Sequence, residues 1–124
     1  MIDIIVLNRN LRLHDNAALF YGSLRSNYIV IYLYDEKYWE GNGKSSRQLK
    51  FATDCLNELD QDLKKINSEI NIFEGSFEML KIWIKENFSD YRIHMNHCTD
   101  IGYFRTGFEN FKKYYEKRLR VYDD

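Results

Sequence analysis

The sequence predicts an α/β domain: an open five-stranded parallel sheet with helices on both faces. Three observations carry that expectation. Five short apolar runs of strand character recur along the chain, at 2–7, 28–34, 70–73, 91–95 and 119–122. Segments of helical apolar period separate them. The connections are short, with no linker, repeat or low-complexity tract, so one domain spans all 124 residues. Strict alternation of this kind implies a parallel sheet covered on both sides. Right-handed crossovers follow.

Each element has its own signal. Ile2 to Leu7 is apolar except for Asp3 and reads as a buried strand. A first helix, Ala17 to Leu24, follows, with Asp15 or Asn16 placed to cap it. The second strand, Tyr28–Tyr34, ends on Asp35. The connection from Asp35 to Ser46 is the longest, and Gly41-Asn42-Gly43 marks a turn within it. The helix Ser46–Ile66 spaces Leu49, Ala52, Leu56, Leu59, Leu63 and Ile66 alternately by three and four, one stripe on one face. Ser45 with Gln48 has the form of a capping box. After the strand Ile70–Phe73, Ser76 is the N-cap of a helix to Asn87 whose inner face is Phe77, Leu80 and Ile84. The strand Tyr91–Met95 leads to a last helix, Thr106 to Lys117, with Phe108, Phe111 and Tyr115 inward and Thr106 with Glu109 as a second capping box. The chain stops just after the fifth strand, at Asp123-Asp124, which predicts a domain boundary within a longer protein.

Composition excludes several classes. A net charge of −1 provides no overall basic field for nucleic acid. Ten Tyr and eight Phe belong mainly in the core or on sheet faces, because rings dominate packing area. Cys55 and Cys98 make no disulfide framework and read as free thiols in a reducing compartment. The first apolar run lacks a basic leader and is broken by Asp3, so it is no signal peptide. No segment approaches the roughly 20 apolar residues of a membrane span. The expected location is the cytoplasm, with no membrane partner.

The chemistry-bearing motifs are few. No G-x-G-x-x-G follows the first strand, and Gly41 to Ser46 lacks the first glycine of a P-loop, since position 38 is Tyr38. His14 stands alone in a capping loop, without a serine or cysteine nucleophile to serve. His94 and His97 are three apart, a spacing that suits a helix better than a strand, so no metal site is expected. Arg9 to Asn16 reads as a rigid corner, with Arg12 pairing with Asp15 or bonding free carbonyls. With strand order 3-2-1-4-5, the first and fourth strands are neighbours and flank the topological switch point, where open α/β sheets bind ligands. Asn8, Asp35 and Asn96 close strands one, two and four there. Arg9 lies beside Asn8, and Lys44 and Arg47 overhang from the long connection and the next helix. The candidate binding set is therefore Asn8, Arg9, Asp35, Lys44, Arg47 and Asn96, suited to a planar, polar-edged molecule. No paired acid and base accompanies it, so the pattern is one of binding, not catalysis.

The element Leu11-Arg12-Leu13-His14-Asp15-Asn16, directly after the first strand, resembles the opening of the photolyase/cryptochrome family. Tyr32-Leu33-Tyr34-Asp35, Trp39, Ser45, Arg47-Gln48, Leu56-Asn57-Glu58-Leu59, Phe73-Glu74-Gly75, Met95-Asn96 and Arg105 continue it collinearly. The resemblance implies that residues 1–124 are the family's N-terminal α/β domain, Rossmann-like in architecture. It implies a separate helical domain, outside these residues, that binds FAD, holds DNA and performs light-driven repair of pyrimidine dimers or blue-light sensing. By the same resemblance the α/β domain supports an antenna chromophore. Asn42, Gly102 and Tyr103 stand where folate-using relatives carry their folate-holding residues, and they depart from that pattern. Asp35 and Arg47 fit the pattern of deazaflavin-using relatives, although Cys98 stands where those carry an acid. The family's Arg-Asp-Leu-Arg is here Arg9-Asn10-Leu11-Arg12. A deazaflavin- or flavin-like antenna is thus favoured over folate, with its identity open. The residues alone also fit a free-standing nucleotide-binding or regulatory module of related architecture.

Overall fold

The computed structural model describes residues 1–7, 16–25, 27–34, 46–66, 68–97 and 103–122. For 46–49, 51–52 and 103–105 it describes the backbone alone. The elements alternate as β1 (Ile2–Leu7), α1 (Ala17–Gly22), β2 (Tyr28–Tyr34), α2 (Ser46–Lys64), β3 (Ile70–Glu74), α3 (Phe77–Asn87), β4 (Tyr91–Asn96), α4 (Tyr103–Tyr114) and β5 (Leu119–Tyr122). The strands form one sheet, all neighbours parallel, in the order β3-β2-β1-β4-β5. This is the Rossmann-like arrangement that the alternation predicts.

Side-chain alternation along each strand makes two cores. On the first face, Ile5 and Leu7 of β1 with Val30 and Tyr32 of β2 pack under Ala18 and Leu19 of α1 and Leu56, Leu59 and Leu63 of α2. On the second, Ile4, Val6, Ile31, Leu33, Ile93 and Met95 meet Phe77, Leu80 and Ile84 of α3, Phe108 and Phe111 of α4, and Tyr115 beyond it. Cys55, half-buried on α2, packs against the first core as a free cysteine. No helix among the described residues is long and apolar enough to cross a membrane.

Element ends show where sequence signals and structure part. Asn16, not its neighbour, is the described cap of α1, accepting from Leu19 N at 3.1 Å. Ser76 caps α3 as expected, accepting from Met79 N. The first helix ends at Gly22 instead of Leu24, and Leu24 is 67% exposed. Ile66 leaves the apolar stripe of α2, because the helix ends at Lys64 and the side chain projects past it, 56% exposed. The last helix begins at Tyr103 and ends at Tyr114. Thr106 and Glu109 therefore lie inside it and do not form a capping box at its start; their spacing is one that an interior turn also accommodates. Asp15 and Ser45 lie outside the described residues.

Two glycines are needed where they stand. Gly75 joins β3 to the cap of α3 with φ at +151°, a region essentially closed to residues with a Cβ, while its N–H donates to Tyr34 O at 2.9 Å. Gly22 lets α1 touch the sheet: a Cβ there would lie 2.4 Å from Ile5 Cγ1 and 3.2 Å from His94 Cγ. Gly22→Ala should gain at most about 1 kcal/mol of helix propensity. It should lose about 1–3 kcal/mol to overpacking against Ile5. The net expectation is a lower urea midpoint at unchanged slope; an unchanged or raised midpoint would show that α1 is not seated on β1 as described.

Candidate functional site

The switch point falls between β1 and β4. From β1 the chain passes to α1 on the first face, and from β4 to α4 on the second. Connections that diverge to opposite faces leave a groove at the carboxyl ends of those strands. At the carboxyl end of β4 two asparagines tie the strand to the start of α1. Asn96, the last residue of β4, is 5% exposed, and its Oδ1 accepts from Ala18 N at 2.9 Å. Its Nδ2 donates to Asn16 Oδ1 at 2.8 Å. The Asn16 oxygen thus serves both Asn96 and the first turn of α1.

Of the sequence-derived site residues, Asn96 closes β4, with its amide engaged inside the protein at both ends. Arg47 lies in the first turn of α2, where only the backbone is described. Asn8, Arg9, Asp35 and Lys44 lie outside the described residues, as do Arg12, His14, Asn42, Cys98 and Gly102. The strand ends that would floor the groove are apolar: Leu7 and Leu33 are buried, and Tyr34 is half-buried. Tyr32, next to them, is buried enough that its phenol is pushed up to about 12.

A second constellation lies beneath α1 and has no counterpart among the sequence candidates. Asp3, the second residue of an otherwise apolar strand, is 2% exposed. Arg25, just past α1, grips both its oxygens, Nε to Oδ2 and Nη2 to Oδ1, each at 3.0 Å. His94 of β4 approaches Oδ1 with Nε2 at 2.8 Å, and its Nδ1 lies 2.9 Å from the hydroxyl of Tyr122 on β5. The register explains the reach. Ile5 pairs with His94 and Asn96 with Tyr122, so Asp3, His94 and Tyr122 step diagonally across three adjacent strands on one face. Long side chains span such diagonals. The usable signal in the sequence is Asp3 itself, since a charged residue in a buried strand requires partners. His97 is no partner of His94. It is exposed at the strand end and lies edge-on to Phe108 of the second core. Among the described residues no group of three or more His, Cys, Asp or Glu is placed to hold a metal ion.

Electrostatics fix the protons of this chain of groups. Burial pushes the Asp3 carboxyl up, but the bonds and charges of Arg25 and His94 outweigh it and hold Asp3 below its ordinary 3.8. Burial pushes the His94 imidazole below 6.5; Asp3 opposes this, and Arg92 and Arg120 reinforce it. His94 is therefore neutral at pH 7. Nε2 carries the proton toward Asp3, and Nδ1 accepts from the Tyr122 hydroxyl. Burial raises the Tyr122 phenol.

Comparison with known proteins gives a consistent result. The family model described as DNA photolyase matches residues 4–100. A (6-4) DNA photolyase of Arabidopsis thaliana is 33% identical over 82 residues, which cover 58% of this chain and 15% of that protein. An archaeal photolyase from Sulfolobus tokodaii, solved with two FAD molecules and described as implying a novel light-harvesting cofactor, superposes with a TM-score of 0.78 at 25% identity. That match covers 100% of this chain and 29% of the archaeal one. A bacterial class III photolyase from Agrobacterium tumefaciens gives a TM-score of 0.69 at 20% identity over 99% of this chain and 26% of its own. The chain thus spans under a third of the length of each of these proteins.

The neutral state of His94 sets the response to acid. The folded protein resists protonation that the unfolded chain accepts from about pH 6.5 downward, so stability should be complete above that value and decline below it. A second decline should begin near pH 4, as the unfolded chain protonates Asp3 ahead of the folded one. His94→Gln keeps a donor for Asp3 and has no titration, so it should lose the upper decline alone. Urea midpoints between about pH 8 and pH 3 measure both; a wild-type midpoint that is flat from neutrality to pH 5 contradicts the assignment.

Proposed function

This chain belongs to the DNA photolyase family as its N-terminal α/β domain, and from that premise we propose that it holds a light-harvesting chromophore over the carboxyl ends of β1, β2 and β4. The observation that carries the proposal is the reversal of strand order between β1 and β4, with the groove edge set by the Asn16–Asn96 pair. Flat chromophores need apolar walls for their rings and a few polar groups at their edges. Tyr34, half-buried at the end of β2, is the proposed apolar contact, beside the buried Leu7 and Leu33. Asn8, Arg9, Asp35, Lys44 and Arg47 are the proposed polar contacts, and Asn96 is proposed to shape the edge by positioning α1. The group itself would absorb light and pass the energy on; the chain's part is to bind, orient and shield it.

A flavin- or deazaflavin-like molecule suits this set better than folate. Asp35 and Arg47 offer an acceptor and a cation for a polar ring edge or side chain, whereas Asn42, Gly102 and Tyr103 lack the folate-holding pattern. The archaeal relative with two FAD molecules supports a flavin in this role. In the intact protein we place beside this domain a helical FAD-binding domain that meets DNA and carries the photochemistry, either dimer repair or blue-light sensing. The proposed part of this domain is the chromophore and its placement, in the cytoplasm, without membrane or metal.

Titration of the protein with FAD, an 8-hydroxy-5-deazaflavin and methenyltetrahydrofolate should give the tightest binding with one of the two flavin-type ligands. Arg47→Ala should weaken it about tenfold or more, the loss of one charge-assisted hydrogen bond. Tighter folate binding that is indifferent to Arg47→Ala would refute both the ligand class and the site.

A further inference from the structure

None of Arg25, Asp3, His94 and Tyr122 is among the proposed chromophore contacts, yet their geometry is that of a machine for one proton. The order phenol, imidazole, carboxylate is the order of a nucleophile–base–orienter triad, with Tyr122 in the nucleophile's place. The two rings are parallel within 2° with centroids 5.9 Å apart. That is too far for a face-to-face stack. With the hydroxyl 2.9 Å from Nδ1, it corresponds to a phenol lying in the imidazole plane, where the nitrogen lone pair points. Asp3, clamped by Arg25, holds the tautomer that leaves this lone pair free.

Nucleophilic attack does not suit this phenol. Its burial disfavours the phenolate, and among the described residues it faces another ring. The ring of Tyr21 lies parallel to it, centroids 5.0 Å apart at 15°, and Tyr21 is 49% exposed. A half-buried phenol with a base on its hydroxyl and a π-stacked partner reaching the surface is suited to losing an electron and a proton together.

We propose that Tyr122 is a proton-coupled electron donor that reduces outer-sphere one-electron oxidants arriving at the Tyr21 surface. The oxidant gains one electron. The Tyr122 O–H bond breaks, its proton forms an N–H bond at His94 Nδ1, and the products are a neutral phenoxyl radical and an imidazolium. An outer-sphere one-electron reductant at the same surface gives the electron back, and the proton returns from His94 Nδ1 to the Tyr122 oxygen. The concerted path avoids both costly intermediates, the buried phenolate and the strongly acidic phenol radical cation. The imidazolium forms directly against the Asp3 carboxylate, which favours it, while Arg92 and Arg120 oppose it and keep the proton returnable. Tyr21 shares the electron hole by stacking and carries it to the surface.

The test is laser flash-quench of the protein with photogenerated ruthenium(III) tris-bipyridine, following phenoxyl absorption and the electron paramagnetic resonance signal. The chain has ten tyrosines, so the site must be isolated by variants. Wild type should show a fast phase that slows in D2O. Tyr122→Phe, which removes one oxygen atom, should abolish that phase. His94→Gln leaves the phenol in place and should slow it roughly 100-fold, the usual scale of a positioned base, and remove the solvent isotope effect. Should His94→Gln fold poorly, wild type still decides: its radical should couple to an exchangeable proton lying in the ring plane. A fast phase that survives Tyr122→Phe, an unslowed His94→Gln, or a wild-type radical without that proton overturns the proposal.

Discussion

A single buried carboxylate organises this end of the molecule. Asp3 is 2% exposed and ionised, and a charge in that position persists only with partners that replace its water. Arg25 supplies two bonds from the far side of α1, and His94 supplies a third from β4. Those three groups meet only if the turn after α1 is folded down over β1 and β4. Contact that close has a steric condition, and Gly22 meets it. The six residues of α1 are far too few to be helical alone. Their conformation is imposed from outside, by Asp3 through Arg25 at one end and by Asn96 at the other.

The two faces of the sheet are therefore held by different physics. The second face is an aromatic mass: Phe73, Trp83, Phe88, Tyr91, Tyr115, Phe111, Phe77 and Phe108 touch in an unbroken series. Such packing is strong and non-directional, and it accepts some rearrangement. The first face beneath α1 relies on directed bonds between Asn16 and Asn96 and among Asp3, Arg25 and His94. Directed bonds fix a helix end far more sharply than apolar contact does, and a groove edge that must present defined polar groups needs that definition. The placement of the polar network on the face of α1, at the switch point, fits the use proposed for it.

The fold was legible because its signals are periodic and local. Apolar runs of strand length at 2–7 and 28–34, the stripe through Leu56, Leu59 and Leu63, and the cap at Ser76 depend on neighbours only a few positions away. Ends were less legible, since a Thr-x-x-Glu pattern such as Thr106 to Glu109 marks a helix start and also sits comfortably inside one. The network was illegible for a different reason. Residues 3, 94 and 122 meet only through strand order, register and side-chain parity, none of which is a local property. Linear reading joins His94 to His97, while the sheet joins it to Asp3. The same limit applies to Asn96, whose position at the end of β4 was legible but whose partners, Asn16 and Ala18, lie about eighty residues earlier.

Strand β4 links the groove to the network. Asn96 and His94 are alternate residues of one strand and face the same way. One ties the start of α1, and the other ties its end through Asp3 and Arg25. Tyr122 stands opposite Asn96 in the ladder and bonds to His94. A change of charge at His94 therefore cannot stay local. It alters the balance of one cation, one carboxylate and one imidazole that holds down the end of α1, and the other end of that short helix is tied to Asn96. With Ala18 and Leu19 the buried apolar side chains of α1, little apolar contact is available to absorb the change. The seat of α1 on the sheet therefore rests on the His94–Asp3–Arg25 bonds at one end and on the Asn16–Asn96 bond at the other.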